Sequence, residues 1–406
     1  MKKTKNKFQK PNIIIYGILL AVCKLIAKFK FNLKIEKNEI KKLKGSYVVI
    51  ANHESSIDFI NMVCATNRRL SFVISNSFYQ SLKIHWLIKQ AGVIAKQQFQ
   101  TSPTDLKKMK EAINNKRHLV IYPAGLMTAN GIATPVPEAT GKFLKWLNTD
   151  VYVAKTTGSY FTNPKWGKGF RKGKITLNIT KLISKEDLEN KESEDIQRIV
   201  YDSLYYDAYK YQEKDLISYK NGNNIKGLEN VLYWCPKCNH YFTNKNIDDS
   251  TMRCEHCGNE VNSDNYGFLH PKTNNDICFK HPSDWYRELY KKLYFDVQND
   301  ENYTLYSPMT LKMLDYKKHQ FIEVSKGSVK LDKDKFVINY QLNDSNIQKE
   351  IPIKTIPILP SKPGVHFEIQ DGHEIYRCCL DNGSEVTKWM DVLNIFYEIN
   401  KNKYKY

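Results

Sequence analysis

Between residues 46 and 180, short apolar runs alternate with amphipathic segments, and this alternation constrains the fold more than any other feature of the chain. Five runs rich in β-branched and aromatic residues have the composition of strands, at 47–51, 71–74, 118–122, 151–154 and 175–179. Segments with helical periodicity separate them, at 57–65, 78–90, 103–114 and 138–147. Alternation of this kind predicts an α/β fold with a mostly parallel sheet flanked by helices.

A polar cluster follows the first predicted strand, with the sequence Asn52-His53-Glu54-Ser55-Ser56-Ile57-Asp58. A side chain at the carboxyl end of such a strand lies at the sheet edge where α/β folds hold their ligands. Asp58 is close enough along the chain to fold back onto His53 and hold its imidazole in one tautomer. Such a pair removes a proton from a hydroxyl, which makes His53 a candidate general base. A histidine with a structural role is the alternative.

The Asn52-His53-x4-Asp58 pattern after a hydrophobic strand resembles the first motif of the glycerolipid acyltransferase family, whose best-known members acylate lysophosphatidic acid. The resemblance implies acyl transfer from a thioester, either acyl-CoA or acyl-carrier protein, to the hydroxyl of a lysoglycerolipid. It implies 1-acylglycerol 3-phosphate as acceptor, phosphatidic acid as product of phospholipid biosynthesis, and no catalytic cofactor. Asn52 and the backbone amides after His53 are then expected to polarise the reacting carbonyl.

A second stretch, Tyr122-Pro123-Ala124-Gly125, is similar to the family's Phe-Pro-Glu-Gly-Thr-Arg-Ser motif, so Tyr122, Pro123 and Gly125 are candidate substrate-binding residues. The family's glutamate and arginine, which grip the glycerol phosphate, are replaced here by Ala124 and Met127. A thioether does not replace the bidentate fork of a guanidinium. The acceptor therefore stays open between 1-acylglycerol 3-phosphate and another lipid.

The family's other phosphate-gripping arginine is replaced by Gln98 in the stretch that begins at Gly92. Nearby lysines are the remaining candidates for an anion, and Lys96 and Lys155 are the first choices at a basic cleft edge. The likeness to the family covers about residues 30–210. A non-catalytic lipid-binding scaffold, docked through a zinc ribbon, is the alternative to an enzyme.

The amino-terminal segment is strongly basic, since residues 1–44 hold thirteen lysines and two glutamates. Its apolar run, 13–23, is shorter than the roughly 20 residues that a spanning helix needs. We expect residues 1–45 to form an interfacial helix on an anionic membrane surface, peripheral or monotopic on the cytoplasmic face. A helix that covers the sheet is the alternative, and no nucleic acid partner is expected.

Two cysteine pairs, Cys235-x2-Cys238 and Cys254-x2-Cys257, are separated by fifteen residues. Two such pairs supply the four thiolates of a structural zinc site, and the remaining cysteines are scattered, as in a reducing compartment. The expected cofactor is structural Zn²⁺. His240 and His256 adjoin these cysteines and are expected to be bystanders.

The predicted organisation is a membrane-binding helix at 1–45, an acyltransferase domain at 46–211, a linker at 212–230, a zinc ribbon at 231–262 and an accessory domain at 263–406. A capping box at Ser184-x2-Asp187 predicts one helix from there to residue 211. The last domain combines a helix at 284–295, strands at 336–340, 351–359, 366–369 and 375–380, and a final helix at 384–400. This β-rich pattern with a final helix is similar to a pleckstrin-homology-type barrel, which implies membrane or partner docking.

Overall fold

The protein is described by a computed structural model that covers residues 9–97, 102–220 and 225–403. Gln98, residues 1–8 of the basic arm and residues 221–224 of the predicted linker lie outside these ranges. The chain divides into two compact units, Met1–Pro164 with Gly169–Asn221 and Lys165–Lys168 with Gly222–Tyr406.

The first unit contains α1 (Ile13–Lys30), β1 (Asn32–Asn38), β2 (Tyr47–Ala51), α2 (Asp58–Ala65), β3 (Leu70–Ser75), α3 (Asn76–Ser81), α4 (His85–Gln90), β4 (Ile94–Lys96), α5 (Pro103–Asn114), β5 (His118–Ile121), α6 (Thr140–Leu147), β6 (Val151–Thr157), α7 (Ser159–Thr162), β7 (Lys174–Ile183), α8 (Lys185–Asn190), α9 (Ser193–Leu204) and α10 (Ala208–Asp215). Its sheet has the strand order β1-β7-β6-β2-β5-β3-β4. The strands β2 to β6 are parallel to one another, and only β7 and β1 run in the opposite direction. The predicted α/β fold with a mostly parallel sheet is confirmed.

Two layers of helices enclose this sheet, and the central strand β2 is buried along its whole length. Tyr47, Val49 and Ala51 pack in the core on the side of α1 and α2. Val48 and Ile50 pack on the opposite side, against α5, α6 and α9. Successive strand residues point to opposite faces, so a strand buried on both sides must be apolar throughout.

The basic amino-terminal segment differs from its prediction in one respect. Residues 32–38, which we assigned to the membrane-binding arm, form the edge strand β1 and pair in parallel with β7. Along this strand the exposed Lys34 and Glu36 alternate with the half-buried Leu33 and Ile35. An edge strand can carry such charged side chains because they remain in contact with solvent. The helix before it, α1, buries Tyr16, Cys23 and Ala27 in the core of the unit. No helix in the described ranges has both the length and the apolar character to cross a bilayer.

Two predicted helices are interrupted. The segment 78–90 holds the last residues of α3 and all of α4. These are separate helices because Leu82, between them, has an extended conformation. The capping box of Ser184 and Asp187 is confirmed, but the segment 184–211 contains α8, α9 and the start of α10. Lys191 is extended after α8, and Asp207 begins a new helix by capping α10 through its side chain.

The second unit contains β8 (Asn244–Asn246), β9 (Thr251–Cys254), β10 (Glu260–Ser263), β11 (Leu269–Pro271), α11 (Pro282–Asn299), β12 (Leu305–Asp315), β13 (Gln320–Leu331), β14 (Lys335–Leu342), β15 (Ser345–Pro352), β16 (Ser361–Lys362), β17 (His366–Asp371), β18 (Glu374–Leu380) and α12 (Val386–Lys403). Strands β8 to β11 form a small antiparallel sheet. Strands β12 to β18 form a second sheet in the order β15-β14-β13-β12-β18-β17-β16, also antiparallel. The predicted β-rich region with a final helix is confirmed.

The second sheet encloses a core that includes Phe336, Phe367 and Trp389, the last of these on α12. The predicted strand at 351–359 is wrong, since β15 ends at Pro352 and a single 3₁₀ turn, Ile353–Thr355, follows it. Strand β12 was not predicted. The likeness to a pleckstrin-homology-type barrel stays a prediction.

Candidate functional site

His53 and Asp58 are in direct contact. The Nδ1 atom of His53 lies 2.9 Å from Oδ2 of Asp58, and the same oxygen accepts the backbone N–H of Ser55 at 2.8 Å. The Asp58 side chain is 1% exposed, whereas the His53 side chain is 22% exposed. A carboxylate that accepts from Nδ1–H leaves Nε2 as the basic nitrogen, and Nε2 has no protein partner among the residues that the structure describes.

The sheet and the following helix place this pair. His53 follows the carboxyl end of β2, and Asp58 is the first residue of α2. The positive end of a helix dipole stabilises a carboxylate in the first turn, which adds to the hydrogen bonds that Asp58 accepts. The two residues therefore meet at the edge of the sheet where the parallel strands end, as the sequence predicts.

Asn52 is fully engaged with the neighbouring strand. Its Nδ2 donates to the carbonyl of Thr156 at 2.8 Å, and its Oδ1 accepts the N–H of Thr156 at 2.8 Å. The residue is 6% exposed. Both polar atoms of the Asn52 amide thus join the ends of β2 and β6, and contact of Asn52 with substrate stays a prediction.

The residues after His53 bind the segment 158–163, which sequence reasoning did not identify as part of the site. The Glu54 Oε2 atom accepts the N–H of Tyr160 at 3.0 Å. Ser55 Oγ donates to the Asn163 carbonyl at 2.6 Å, and Ser56 Oγ donates to Asn163 Oδ1 at 2.9 Å. Hydrogen bonds to α7 and Asn163 thus hold the turn that carries His53 in place.

The Tyr122 ring lies against the imidazole of His53, with ring centroids 4.4 Å apart and planes inclined by 30°. Its hydroxyl is buried and has no hydrogen-bond partner in the described part of the chain, and burial raises the pKa of this hydroxyl well above its usual range. The chain then turns sharply, since the N–H of Gly125 donates to the Tyr122 carbonyl at 2.9 Å. Gly125 has a φ of 69°, which favours glycine at this position. Tyr122 therefore borders His53, and contact of Tyr122, Pro123 and Gly125 with substrate stays a prediction.

Two further residues hold the backbone of His53, and neither was predicted. The N–H of Thr128 donates to the His53 carbonyl at 3.1 Å, and the Tyr206 hydroxyl donates to the same oxygen at 3.3 Å. The loop that follows Gly125 and the chain before α10 thus both fix the turn.

The two lysines expected at a basic cleft edge lie on strands at different distances from β2. Lys96 ends β4, three strands from β2, a distance of about 14 Å at the usual strand spacing. Its Nζ donates to the Gln97 carbonyl at 3.0 Å, and burial lowers its pKa although Asp105 opposes this effect. Lys155 lies on β6, paired with Asn178, and strand alternation puts it on the same face as Val151 and Val153. The two lysines therefore lie on opposite sides of β2 in the sheet, and a role of either one in binding an anion stays a prediction.

The four cysteines of the two Cys-x2-Cys pairs come together in the second unit, with their sulfur atoms all within 4.8 Å of one another. Cys235 Sγ lies 3.8 Å from Cys257 Sγ, and Cys238 Sγ lies 3.6 Å from Cys254 Sγ. Tetrahedral zinc with Zn–S bonds of about 2.3 Å separates its sulfurs by about 3.8 Å. These residues therefore fit a tetrahedral metal ion.

The histidines beside this centre stack on each other, with ring centroids 3.7 Å apart. Both His240 and His256 are exposed, and His240 Nδ1 lies 2.9 Å from the Cys238 carbonyl. Together with Cys238 they form a second group whose ligand atoms lie within 4.8 Å of one another, so the expectation that the two histidines are bystanders stays a prediction.

Comparisons with known proteins find a family for one stretch of the chain. Residues 32–162 match the family model described as Acyltransferase. The chain is also similar to the crystal structure of the 1-acyl-sn-glycerophosphate (LPA) acyltransferase PlsC from Thermotoga maritima, with a TM-score of 0.40 and 16% identity over 47% of this chain and 78% of that chain. No curated protein sequence matches the chain significantly. The stretch 32–162, which holds His53 and Asp58, is a domain of the acyltransferase family.

Proposed function

We propose that the protein transfers a fatty acyl group from a thioester to the free hydroxyl of a lysoglycerolipid. The observation that carries this proposal is the 2.9 Å contact between His53 Nδ1 and Asp58 Oδ2 inside the segment that matches the acyltransferase family. The contact leaves the basic Nε2 of a partly exposed imidazole at the ligand edge of the sheet.

The proposed reaction needs no nucleophile from the enzyme, because a thioester is already activated. His53 Nε2 removes the proton of the acceptor hydroxyl as its oxygen bonds to the thioester carbonyl carbon. Asp58 holds the ring and balances the charge of the imidazolium that forms. When the tetrahedral intermediate collapses, the carbon–sulfur bond breaks, and the departing thiolate takes the proton from His53. The products are an ester and a free thiol.

The proposed donor is acyl-CoA or acyl-carrier protein, and the proposed acceptor is 1-acylglycerol 3-phosphate. The likeness of the His53 motif to glycerolipid acyltransferases supports this acceptor. Ala124 and Met127, at positions where that family carries its phosphate-gripping glutamate and arginine, favour a second candidate, a lipid acceptor with a different head group.

An acyl-transfer assay tests the proposal. Purified protein is incubated with radiolabelled acyl-CoA or acyl-carrier protein and with a panel of acceptors that differ in head group. We expect label in one diacyl product and release of one thiol for each ester formed. A protein that transfers label to none of the acceptors, but binds the same lipids, is a non-catalytic scaffold and contradicts the proposal.

We also propose that α1 binds an anionic membrane surface on the cytoplasmic face, as a peripheral or monotopic element. Opposite its buried face, α1 exposes large apolar side chains: Ile13, Ile14, Ile18, Val22, Leu25 and Phe29. Ile14 is 71% exposed and Phe29 is 66% exposed, and Lys28 and Lys30 lie in the last turn. Apolar side chains beside lysines suit a layer of anionic lipid head groups.

The topology supports access from this surface to the catalytic pair. Helix α2 begins at the sheet edge that holds His53, and Phe59 in its first turn is 43% exposed. Helix α3 begins after β3 at the same edge and exposes Phe78. Both phenylalanines lie where an acyl chain would approach His53 from a membrane.

Vesicle sedimentation tests the membrane proposal. The pair Ile14→Glu with Ile18→Glu removes two apolar contacts worth about 1.5–3 kcal/mol each when fully buried, so affinity for phosphatidylglycerol vesicles should fall at least about tenfold. Tyr201→Glu, which changes an exposed aromatic residue of α9, is the matched control and should bind like the wild type. Equal binding by the Ile14 and Ile18 double variant and the wild type would contradict the proposal.

We propose that the ion held by the four cysteines is Zn²⁺ with a structural role. Four thiolates at these separations favour zinc among the common cellular ions, and they leave no open position for a substrate or water. Burial opposes ionisation of Cys254, but the Thr243 hydroxyl and nearby backbone amides outweigh it and lower the pKa of this thiol to about 7.

A further inference from the structure

Two carboxyl groups are buried in the turn that carries His53. Asp58 is fully buried, and Glu54, the neighbour of His53 in the chain, is 1% exposed. The proposed reaction uses Asp58 and leaves Glu54 without a role. A buried carboxyl beside a second one is costly when both are charged, so the state of Glu54 bears directly on the site.

The surroundings of the two carboxyl groups differ. Asp58 Oδ2 accepts both the His53 Nδ1–H and the Ser55 N–H. Glu54 Oε2 accepts the Tyr160 N–H at 3.0 Å, while Oε1 is buried without a hydrogen-bond partner in the described ranges, as is Asp58 Oδ1. The two groups differ in their partners: Asp58 contacts the His53 imidazole, which becomes a cation when it takes a proton, and no group of that kind is shown beside Glu54 in the described residues.

Among the residues that the structure describes, the groups shown to face Glu54 carry no positive charge that would balance it. They are Asp58 on α2, Tyr160 on α7, Tyr206 before α10 and Tyr219 after α10. Burial and the charge of Asp58 raise the pKa of Glu54 well above its usual range, against the opposing effect of the backbone amides of residues 158–160. Electrostatics and geometry therefore agree on a neutral Glu54.

A second buried charge would be costly in this turn. Two carboxylates in one buried cluster repel each other, and of the two only Asp58 contacts an imidazole, which can offset its charge.

We propose that Glu54 is a positioning residue that carries a proton in the active enzyme, so that it anchors the His53 turn to α7 without adding a second negative charge beside Asp58. This inference rests on the proposed acyl transfer. Ionisation of Glu54 as the pH rises then adds a second buried charge beside Asp58 and loosens the anchor of the His53 turn. Glutamine, which has the shape of a protonated glutamate, should replace it.

The pH dependence of kcat in Glu54→Gln tests this role. The wild type should lose activity about tenfold per pH unit above the ionisation of Glu54. Glu54→Gln should be active at neutral pH and keep its activity into the pH range where the wild type declines. The control is Glu186→Gln, the same change at an exposed position in the first turn of α8, which should follow the wild-type profile. If the wild type and Glu54→Gln lose activity over the same alkaline pH range, the proposal is overturned. Replacing a merely structural residue would leave that pH range unchanged.

Infrared difference spectroscopy gives a second readout that does not depend on activity. Asp391→Asn serves as the reference protein, because Asp391, whose pKa burial raises to about 7, would otherwise contribute the same band. At pH 7 this reference should show the carbonyl stretch of a protonated carboxylic acid, and adding Glu54→Gln should remove it. If the wild type transfers no acyl group, the acyl-transfer proposal fails, and this band still decides the state of Glu54. If Glu54→Gln does not fold, loss of the same band from the reference protein on raising the pH supports the proposal. A reference protein without the band overturns it.

Discussion

At the scale of single residues, the polar neighbours of His53 in the turn from Asn52 to Asp58 form hydrogen bonds within the protein. Asn52 binds Thr156, Glu54 binds the Tyr160 amide, and Asp58 holds the imidazole. His53 alone presents a basic nitrogen outward. Rigid support of this kind keeps a catalytic group in place without a cost at each turnover.

The replacement Asn52→Ala should affect stability more than substrate binding. It removes two hydrogen bonds to the backbone of Thr156 and leaves a buried N–H and a buried carbonyl unsatisfied, at a cost of about 2–4 kcal/mol. Denaturant unfolding measures the loss, and steady-state kinetics should show little change in KM for the acceptor. A raised KM without loss of stability would instead make Asn52 a substrate ligand.

At the scale of elements, sequence patterns predicted what is local. The five predicted strands and the His53 to Asp58 contact follow from periodicity and spacing within a few residues. The partners Thr156, Tyr160, Asn163 and Tyr206 lie more than 100 residues from the turn, and no local pattern signals such contacts. The edge strand β1 was not predicted, because its exposed side chains are polar or charged and interrupt the apolar run that indicates a strand.

Metal binding by the four-cysteine cluster of the second unit can be tested directly. The wild type should contain one zinc ion per chain by elemental analysis. Cys235→Ser removes one of four thiolates and should abolish tight binding, with a lower melting temperature of the second unit. Cys278→Ser is the matched control, because Cys278 lies outside the four-cysteine cluster. Equal zinc content in Cys235→Ser and wild type would contradict the assignment of Cys235 as a ligand.

At the scale of the whole molecule, the proposed catalytic pair lies in the first unit and the four-cysteine cluster in the second, and each unit has its own core. Within the second unit, Asp391 of α12 is fully buried and accepts hydrogen bonds from Tyr233, near the first cysteine pair, and from Tyr286 of α11. One carboxyl group thus joins the ribbon, α11 and α12.

This carboxyl group predicts a pH dependence of stability. Burial raises the pKa of Asp391 to about 7, although hydrogen bonds from Tyr286 and Tyr233 oppose the rise. Between about pH 4 and pH 7 only the folded state holds this proton, so its contribution to stability is lost as the pH rises, by about 4 kcal/mol in total. Calorimetry of Asp391→Asn should show a flatter pH dependence than the wild type. The control is the exposed Asp381→Asn, and an unchanged slope in Asp391→Asn would contradict the prediction.

The rate of acyl transfer by His53→Asn tests the central claim most directly. The asparagine amide takes the place of Nδ1 and can still donate to Asp58, so the turn keeps its hydrogen bond but loses its base. With the acceptor that the wild type uses, kcat should fall by about 10²–10⁴ while the circular dichroism spectrum stays unchanged. His85→Ala, on α4 of the same unit, should transfer at the wild-type rate. Transfer by His53→Asn at the wild-type rate would show that His53 is not the base.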